Sequence, residues 1–284
     1  MHVLEQRVKA ACVFVAENQD LCRAHLGKRS RHRLDRRSME PICLVLLPGL
    51  DGTGVMFRPL LKQLPPHISA VVVNYRRDEP LGYAELLPLV LDALPRDRPF
   101  ALLGESFGGP LAVRAAAARP DGLRAVILCA SFVSCPHPIV PRWAASLVPD
   151  LPFRVFAQLS RLKALLGGYS SGELRALSRE ALSSVRADVL AHRTREAIRV
   201  DVSRELAALD VPLLYVQGRR DLVVPGGNLK RIQRIKPTVR VAQLPAPHMV
   251  LQTQAERAAA AIVEFIAAPV ASDAPATGER ARAG

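Results

Sequence analysis

Ser106 lies in a G-x-S-x-G motif formed by residues 104–108. A serine at a tight turn between a strand and a helix projects its hydroxyl above the sheet, where it can attack an acyl carbonyl. The glycines are needed because a Cβ at either position would collide with the neighbouring backbone. The motif also occurs by chance, but the apolar run 100–103 before it and the helix-forming run 110–119 after it favour the catalytic interpretation. The chemistry predicted here is nucleophilic attack by Ser106.

A nucleophilic serine needs a base and an acid, and the later part of the chain offers a candidate for each. A hydroxyl is a weak nucleophile at neutral pH, so an imidazole must take its proton while a carboxylate orients the ring. Asp221 follows the predicted strand 211–218, and His248 follows the predicted strand 238–244. Serine, aspartate and histidine in this chain order are expected for such a sheet. We therefore predict a catalytic triad of Ser106, Asp221 and His248.

Other acids and histidines fit these two roles less well. Asp210 precedes the strand 211–218 and Asp201 lies in a segment without strands, so neither follows a strand end. The remaining histidines lie before the serine motif or within residues 137–192. A surface-loop histidine is the alternative interpretation of His248, and its position after the last predicted strand favours the catalytic one.

A glycine-rich loop at residues 48–54 follows the first clear strand. Such a loop lets backbone N–H groups approach a ligand closely. A phosphate-binding loop is the alternative, but the Lys-Ser/Thr ending of a P-loop is missing and the glycine spacing does not match a dinucleotide site. We interpret residues 48–54 as a loop that stabilises a developing oxyanion.

Short apolar runs alternate with helix-forming stretches over most of the chain. A continuous apolar run of strand length is typical of a strand covered on both faces of a parallel sheet. Helices are predicted over 55–64, 83–94, 110–119 and 252–267, and strands over 42–47, 70–75, 100–103, 125–129, 211–218 and 238–244. The pattern predicts an α/β fold with a doubly wound, mostly parallel sheet. Ligands bind at the carboxyl edge of such a sheet, where the candidate site residues are expected to meet.

The strand pattern stops between residues 132 and 209. Three helix signals replace it: an apolar stripe over 153–166, a capping box at Ser170 and Glu173, and a helical pattern over 185–199. We interpret residues 132–209 as a helical lid inserted into a core made of residues 41–131 and 210–268. Its apolar stripes are expected to serve mainly for packing.

The two ends of the chain differ from the middle in composition. Residues 1–40 contain a basic cluster at 28–37, in which Asp35 is the single acidic residue, and Met39 directly precedes the first strand. We expect a disordered basic arm there, either an appendage to the fold or a start-site artefact. The small and polar residues 269–284 are expected to form a disordered tail.

Composition and charge limit the classes of function. The 284 residues include 49% hydrophobic residues, enough for a sizeable core, and carry a formal net charge of +13. The basic residues are spread along the chain rather than gathered with aromatic residues, so we do not expect nucleic-acid binding. No apolar run reaches the ~18 residues of a membrane span, and no stable membrane insertion is expected. The five cysteines show no C-x-x-C spacing or disulfide framework, which favours a reducing cytoplasm.

Residues 46–267 resemble the α/β-hydrolase superfamily. Four motifs in the expected order carry the resemblance: the loop at 48–50, the motif around Ser106, Asp221 after its strand, and His248 before the final helix. The resemblance implies an oxyanion hole made by the backbone N–H groups of Leu50 and Phe107. Many relatives have histidine where this chain has Pro48, but backbone donors do not depend on that side chain.

Within the superfamily, the loop and the serine motif are similar to those of lipid-handling esterases and acyltransferases, including plastid phytyl-ester-forming enzymes. The chain length and the inserted helices resemble pimeloyl-carrier methyl ester esterases. The resemblance implies cleavage of carboxylic esters or thioesters of an apolar acyl group through an acyl-enzyme, with neither cofactor nor metal. The alternatives are acyl transfer to an alcohol, a non-catalytic binding protein on this fold, and haloperoxidase-like or carbon–carbon bond-cleaving chemistry.

Lys and Arg outnumber Asp and Glu between residues 135 and 206. Solvated helix faces in an arginine-rich chain are the simpler interpretation. The sharper hypothesis is that a basic lid steers an anionic acyl donor toward Ser106, such as an acyl group on an acidic carrier protein or on coenzyme A. Arg193 and Arg199 are predicted to be surface positions at which charge reversal would weaken this steering.

Overall fold

One sheet of seven strands organises the computed structural model, which describes residues 13–16, 42–148 and 171–268. The strands are β1 (Val13–Ala16), β2 (Ile42–Leu47), β3 (Ile68–Val73), β4 (Phe100–Glu105), β5 (Leu123–Cys129), β6 (Leu213–Gly218) and β7 (Arg240–Leu244). Their order in the sheet is β1-β3-β2-β4-β5-β6-β7. Strands β2 to β7 are parallel, and β1 runs antiparallel to β3. The predicted, mostly parallel sheet is confirmed.

Helices cover both faces of this sheet. They are α1 (Arg58–Leu61), α2 (Tyr83–Asp92), α3 (Gly108–Ala117), α4 (Gly172–Ser183), α5 (Ala187–Arg199), α6 (Ser203–Ala207), α7 (Gly227–Ile235), α8 (Val250–Thr253) and α9 (Ala255–Ala267). Apolar residues of α2, α3, α6 and α7 pack on one face, and those of α1, α8 and α9 pack on the other. The sheet is therefore doubly wound, as the alternating pattern predicted.

Strand β2 explains why the sheet strands are apolar throughout. Val45 and Leu47 face one of the two cores, while Leu44 and Leu46 face the other, and all four are fully buried. Burying each such side chain contributes roughly 1.5–3 kcal/mol to folding. A polar residue in this strand would therefore lose solvation on either face.

Strand β1 departs from the expectation of a disordered arm over residues 1–40. Val13–Ala16 pairs with β3 in the register Val13 opposite Val73 and Ala16 opposite Ala70. The other residues of 1–40 lie outside the described residues. Three of the four residues are β-branched or aromatic, the residue types that are enriched in strands.

The strand order creates a crevice between β2 and β4. After β2 the chain moves to β3 on one side of β2, and it then returns to β4 on the other side. Loops that leave the carboxyl ends of β2 and β4 therefore diverge, which opens the space where ligands bind in such sheets. The loop at 48–54 and the Ser106 motif follow these two strand ends.

The insertion at residues 132–209, hereafter the inserted segment, lies between β5 and β6. Its described part contains a 3₁₀ helix (Arg142–Leu147) and the helices α4 to α6. The predicted capping residue Ser170 is wrong, because the Ser171 hydroxyl accepts the Leu174 N–H at 3.1 Å and α4 begins one residue later than predicted. The helix predicted over 153–166 lies outside the described residues.

Arg193 in α5 contradicts its predicted surface position. Its side chain is completely buried, whereas Arg199 in the same helix is exposed. Arg193 lies four residues after Val189 and four before Ala197, so it falls on the inward stripe of α5.

Among the described residues, no helix is long and apolar enough to cross a membrane.

Candidate active site

Ser106 occupies the turn between β4 and α3 in a strained backbone conformation. Its φ is 50°, in the left-handed region that non-glycine residues rarely adopt. Its N–H donates to the Cys129 carbonyl at 2.9 Å, which holds the turn against β5. A Cβ at Gly104 would lie 2.6 Å from the Gly109 Cα, and one at Gly108 would overlap the backbone of β2. These glycines allow the close crossing that lifts the serine hydroxyl above the sheet.

His248 lies in the loop between β7 and α8, with only 5% of its surface exposed. Its Nε2 is 3.0 Å from the Ser106 Oγ, and its Nδ1 is 2.8 Å from the Asp221 Oδ2. The loop packs against the end of β6, where a side chain on Gly218 would overlap the Pro247 carbonyl. The imidazole is therefore held between the predicted nucleophile and the predicted acid.

Asp221 is held by the backbone of the turn that follows β6. Its Oδ1 accepts the N–H groups of Val223 and Val224, both at 2.8 Å, which leaves Oδ2 to face His248. The two rival acids lie elsewhere: Asp210 forms an exposed ion pair with Arg119, and Asp201 forms one with Arg142. Of the three candidate acids, the structure brings Asp221 alone to the histidine.

The Phe107 N–H is oriented through the carbonyl of the same peptide. That carbonyl, on Ser106, accepts the Ser131 hydroxyl at 2.7 Å and the Gly109 N–H at 3.1 Å. In a planar trans peptide the N–H points away from the C=O. Ser131 and Gly109 therefore set the direction of the Phe107 N–H.

The residue Phe107 is fixed on its other side by aromatic contacts. The Tyr83 ring stacks on the Phe107 ring with 4.4 Å between centroids, and the Tyr83 hydroxyl donates to the Phe107 carbonyl at 3.1 Å. The Tyr75 ring meets the Phe107 ring edge-on at 6.3 Å. Leu50, the other predicted donor, lines the same cavity as Ser106 and Phe107. Leu50 and Phe107 thus line the cavity that holds Ser106, and the role of their N–H groups as an oxyanion hole stays a prediction.

Two buried carboxyl groups lie beside the predicted triad. Glu105 directly precedes the serine, and burial raises the pKa of its carboxyl to about 7, partly offset by the Gln252 amide and by His248. The Gln252 amide donates to Glu105 at 2.9 Å. Asp51 accepts from the N–H and the hydroxyl of Thr53, at 2.8 and 2.5 Å. This end of the cavity is acidic rather than basic.

A cavity of about 480 Å³ opens above Ser106. Its lining is mainly apolar and comes from both the core and the inserted segment. Core residues include Met56, Val224 and Met249, and the inserted segment adds Phe132, Val140, Ala181, Leu182, Ala197 and Ile198. Part of the inserted segment therefore forms a wall of the cavity, while its action as a moving lid stays a prediction.

Sequence reasoning missed Ser131, Tyr83 and Glu105. Ser131 is the second residue after the apolar strand β5, and a polar residue at a strand end was a usable signal. Glu105 lies inside the serine motif itself, two residues after the apolar run 100–103, where an acid at a buried strand end was also visible. Tyr83 gave no such signal, because one tyrosine at the start of an amphipathic helix is typical of core packing.

Comparison of the sequence with known proteins identifies one family. Residues 44–261 match a family model described as "Alpha/beta hydrolase family". The chain is similar to the pimeloyl-[acyl-carrier protein] methyl ester esterase of Xanthomonas campestris pv. campestris, with 30% identity over 245 residues, covering 79% of this chain and 95% of that protein. It is also 29% identical over 251 residues to the polyketide synthase ThaQ of Burkholderia thailandensis. That match covers 78% of this chain and only 12% of the synthase.

Solved structures share the fold at lower sequence identity. The enol-lactonase from Burkholderia xenovorans LB400 superimposes with a TM-score of 0.69 at 20% identity, over 82% of this chain and 94% of that one. A hydrolase from Pseudomonas aeruginosa PA01 gives a TM-score of 0.69 at 21% identity, over 83% and 93% of the two chains. At these identities the likeness concerns the fold alone.

Proposed function

Because the chain belongs to the alpha/beta hydrolase family, we propose that it is a serine hydrolase that cleaves carboxylic esters or thioesters of an apolar acyl group. The observation that carries the proposal is the hydrogen-bonded series from the Ser106 Oγ through His248 to Asp221. This series lies at the base of the apolar cavity, with the Leu50 and Phe107 residues beside the serine. The arrangement fits a reaction through a covalent acyl-enzyme.

The first step is attack on the acyl carbonyl carbon. His248 Nε2 takes the proton of the Ser106 hydroxyl while Oγ bonds to that carbon. Asp221 accepts the Nδ1–H, which keeps Nε2 free to act as a base, and its negative charge stabilises the imidazolium that forms. The two backbone N–H groups on Asp221 Oδ1 hold the carboxylate in this orientation.

The carbonyl oxygen becomes negatively charged as the tetrahedral intermediate forms. We assign its stabilisation to the backbone N–H groups of Leu50 and Phe107. These donors gain most when the oxygen carries full charge, so they favour the transition state over the bound ester. The Ser131 hydroxyl and the Tyr83 ring limit the movement of the Phe107 residue.

Collapse of the intermediate releases the alcohol or thiol and leaves an ester on Ser106. The His248 imidazolium gives its proton to the departing oxygen or sulfur. A water molecule then attacks the Ser106 ester as His248 takes a proton from it. The second intermediate collapses to the free acid and restores the Ser106 hydroxyl.

The cavity lining supports a neutral, apolar acyl group. Among the described residues that line it, there is no lysine or arginine, and Glu105 and Asp51 lie near the serine. A carboxylate on the part of the substrate that enters the cavity would therefore lose its hydration without meeting the side chain of a lysine or an arginine. A neutral chain gains from contact with Phe132, Ile198 and Met249.

The acyl donor that we propose is carried on an acyl carrier protein or on coenzyme A. The Xanthomonas campestris relative is named for a pimeloyl-[acyl-carrier protein] methyl ester, and its likeness covers most of both chains. Exposed arginines in α4 and α5, including Arg179 and Arg199, adjoin cavity-lining residues of the same helices. Such charges suit an anionic carrier that stays outside the cavity.

Labelling with a fluorophosphonate probe tests the nucleophile. The unmutated protein is expected to take up one probe at Ser106, and Ser106→Ala should abolish labelling. Hydrolysis of p-nitrophenyl esters of graded acyl length should fall about 10⁵- to 10⁶-fold in Ser106→Ala and similarly in His248→Ala. Equal labelling of Ser106→Ala would refute the serine-hydrolase mechanism, and absence of any labelling would favour a binding protein on this fold.

A further inference from the structure

Arg193 connects the inserted segment to the loop that follows β2. Its Nη1 donates to the carbonyls of Leu50 and Asp51, both at 3.0 Å, and its Nη2 donates to the Arg76 carbonyl at 2.6 Å. The guanidinium carbon lies 5.4 Å from the centre of the Tyr75 ring. One side chain of α5 thus makes three hydrogen bonds to the core backbone.

The burial of this guanidinium is costly. Arg193 has no exposed surface, and no carboxylate in the described part of the chain lies within ion-pairing distance of it. Burial lowers the pKa of the guanidinium to about 10, so it stays protonated at neutral pH. The three backbone carbonyls and the Tyr75 ring compensate part of this cost, while the buried Nε of Arg193 has no hydrogen-bond partner among the described residues.

The carbonyls that Arg193 holds lie next to the proposed Leu50 donor. The Leu50 N–H belongs to the Gly49–Leu50 peptide, and the carbonyl of that peptide accepts the Gly52 N–H at 3.1 Å. The next peptide carries the Leu50 carbonyl, which accepts Arg193. Both peptides that flank the Leu50 Cα are therefore tied down, and their planarity fixes where the N–H points.

We infer that Arg193 is a positioning residue for the reaction at Ser106, which orients the Leu50 N–H toward the oxyanion by holding the Leu50 and Asp51 carbonyls. This inference rests on the proposed function. It assigns to α5 a part in transition-state stabilisation, in addition to its contribution to the cavity wall. The three carbonyls match the planar fork of an arginine, whereas a lysine can point its single ammonium toward fewer of them at once.

A positioning role and a structural role predict different kinetics. If Arg193 aims the Leu50 N–H, its loss weakens binding of the charged tetrahedral state and leaves binding of neutral ligands nearly unchanged. If Arg193 only joins the inserted segment to the core, its loss lowers the melting temperature and changes neutral and charged ligands alike. The ratio of these affinities separates the two roles.

The experiment compares Arg193→Met and Arg193→Lys with Arg195→Met as a matched control. Arg195 is on the same helix and donates to the Val148 carbonyl within the inserted segment. Each variant is assayed with p-nitrophenyl butyrate, with an alkyl trifluoromethyl ketone whose adduct with Ser106 is an oxyanion, and with the corresponding neutral alcohol. In both Arg193 variants we expect kcat and the ketone affinity to fall about 10- to 100-fold, while KM and the alcohol affinity change less than about threefold. Arg195→Met should retain parental kcat and ketone affinity.

Parental kcat and ketone affinity in a folded Arg193 variant would overturn the inference and leave the proposed function intact. An equal loss of ketone and alcohol affinity would also overturn it, because the cavity itself would then be damaged. If Arg193→Met does not fold, Arg193→Lys decides by the same ratio, and failure of both to fold would make Arg193 a purely structural residue. Absence of ester hydrolysis and of Ser106 labelling in the unmutated protein would overturn both proposals.

Discussion

The two proposed oxyanion donors are held in different ways. The peptide that carries the Phe107 N–H is fixed by Ser131 and Gly109, and Tyr83 holds the next peptide through the Phe107 carbonyl; all three residues lie outside the inserted segment. The loop that carries the Leu50 N–H is fixed partly by Arg193, which is 143 positions later in the chain and belongs to the inserted segment. The first donor is complete once the parallel sheet has folded. The second depends on the docking of α5.

This contrast gives the inserted segment two different functions in the site. It supplies apolar wall residues, which affect how well an acyl chain fits, and it supplies Arg193, which we propose affects the chemical step. Substitutions in the wall should therefore alter KM and chain-length preference. Substitutions at the Arg193 contact should alter kcat.

After the substitutions of Ser106 and His248, the largest effect is expected at Asp221, which belongs to the core and not to the inserted segment. Asp221→Asn should lower kcat about 10⁴-fold, because an amide favours the wrong imidazole tautomer and cannot stabilise the positive ring. Asp201→Asn and Asp210→Asn are the controls, since both side chains form exposed ion pairs away from His248. A loss below about tenfold for Asp221→Asn, measured with p-nitrophenyl esters, would move the acid role to another residue.

A second effect concerns how the folding stability changes with pH through Glu105, which also belongs to the core. The pKa of Glu105 is raised from 4.5 to about 7, so the folded protein binds this proton more tightly than the unfolded chain does. Stability contributed by the neutral carboxyl is full below about pH 4.5 and is lost as the pH rises toward 7. Glu105→Gln should therefore be more stable than the parent at pH 8, by at most about 3 kcal/mol, and not at pH 4.5.

Denaturant unfolding at both pH values measures this difference, with exposed Glu264→Gln as the control. A constant difference between Glu105→Gln and the parent at pH 4.5 and pH 8 would contradict the assignment of the raised pKa to Glu105.

A smaller effect is expected when the Phe107 donor is loosened. Ser131→Ala removes the hydroxyl that holds the Ser106 carbonyl, and kcat should fall about tenfold with KM nearly unchanged. Ser184→Ala is the control: it deletes a hydroxyl that donates to the Ala181 carbonyl, and it should leave kcat unchanged.

If the two donors are held independently, the losses of kcat in Ser131→Ala and Arg193→Lys should multiply in the double variant to within about threefold. Strong non-additivity would show that both donors share one support.

The smallest effect concerns the charge of the inserted segment. For an acyl donor on an acidic carrier, kcat/KM should fall with salt, whereas a neutral ester of the same acyl chain should hardly respond, because exposed charges are screened over ~8–10 Å. Arg179→Glu with Arg199→Glu should flatten that dependence, since both arginines are exposed. The same salt response for both substrates in the unmutated protein would contradict steering.

The control for this steering test is Arg96→Glu with Arg124→Glu. Both residues are exposed. Arg96 precedes the amino end of β4, and Arg124 is the second residue of β5, so both lie at the edge of the sheet opposite to Ser106. The control pair changes the net charge equally and should keep the salt dependence of the parent.

The sheet could be predicted from sequence because burial on both faces makes its strands continuous apolar runs, as in β2 and β4. Strand β1 could not be predicted, because four apolar residues within a basic arm carry no information about which edge they pair with. The positions of Ser106, Asp221 and His248 could be predicted because each follows a strand end, and parallel strands bring those ends to one edge.

The supports of the site were harder to predict. A signal for Arg193 existed, because it falls on the same helical stripe as Val189 and Ala197, where a solvated charge does not belong. Its partners are the backbone carbonyls of a distant loop, and a carbonyl has no residue type that a sequence could display. The sequence could therefore indicate that Arg193 is buried, but not what it holds.

The positive φ of Ser106 has a consequence for how this protein would respond to artificial evolution. A serine in the left-handed region costs on the order of 1–3 kcal/mol of folding free energy, and glycine adopts that region freely. A library selected for heat resistance without an activity screen should therefore enrich Ser106→Gly. The residue on which turnover depends is thus one that thermal selection alone would discard early.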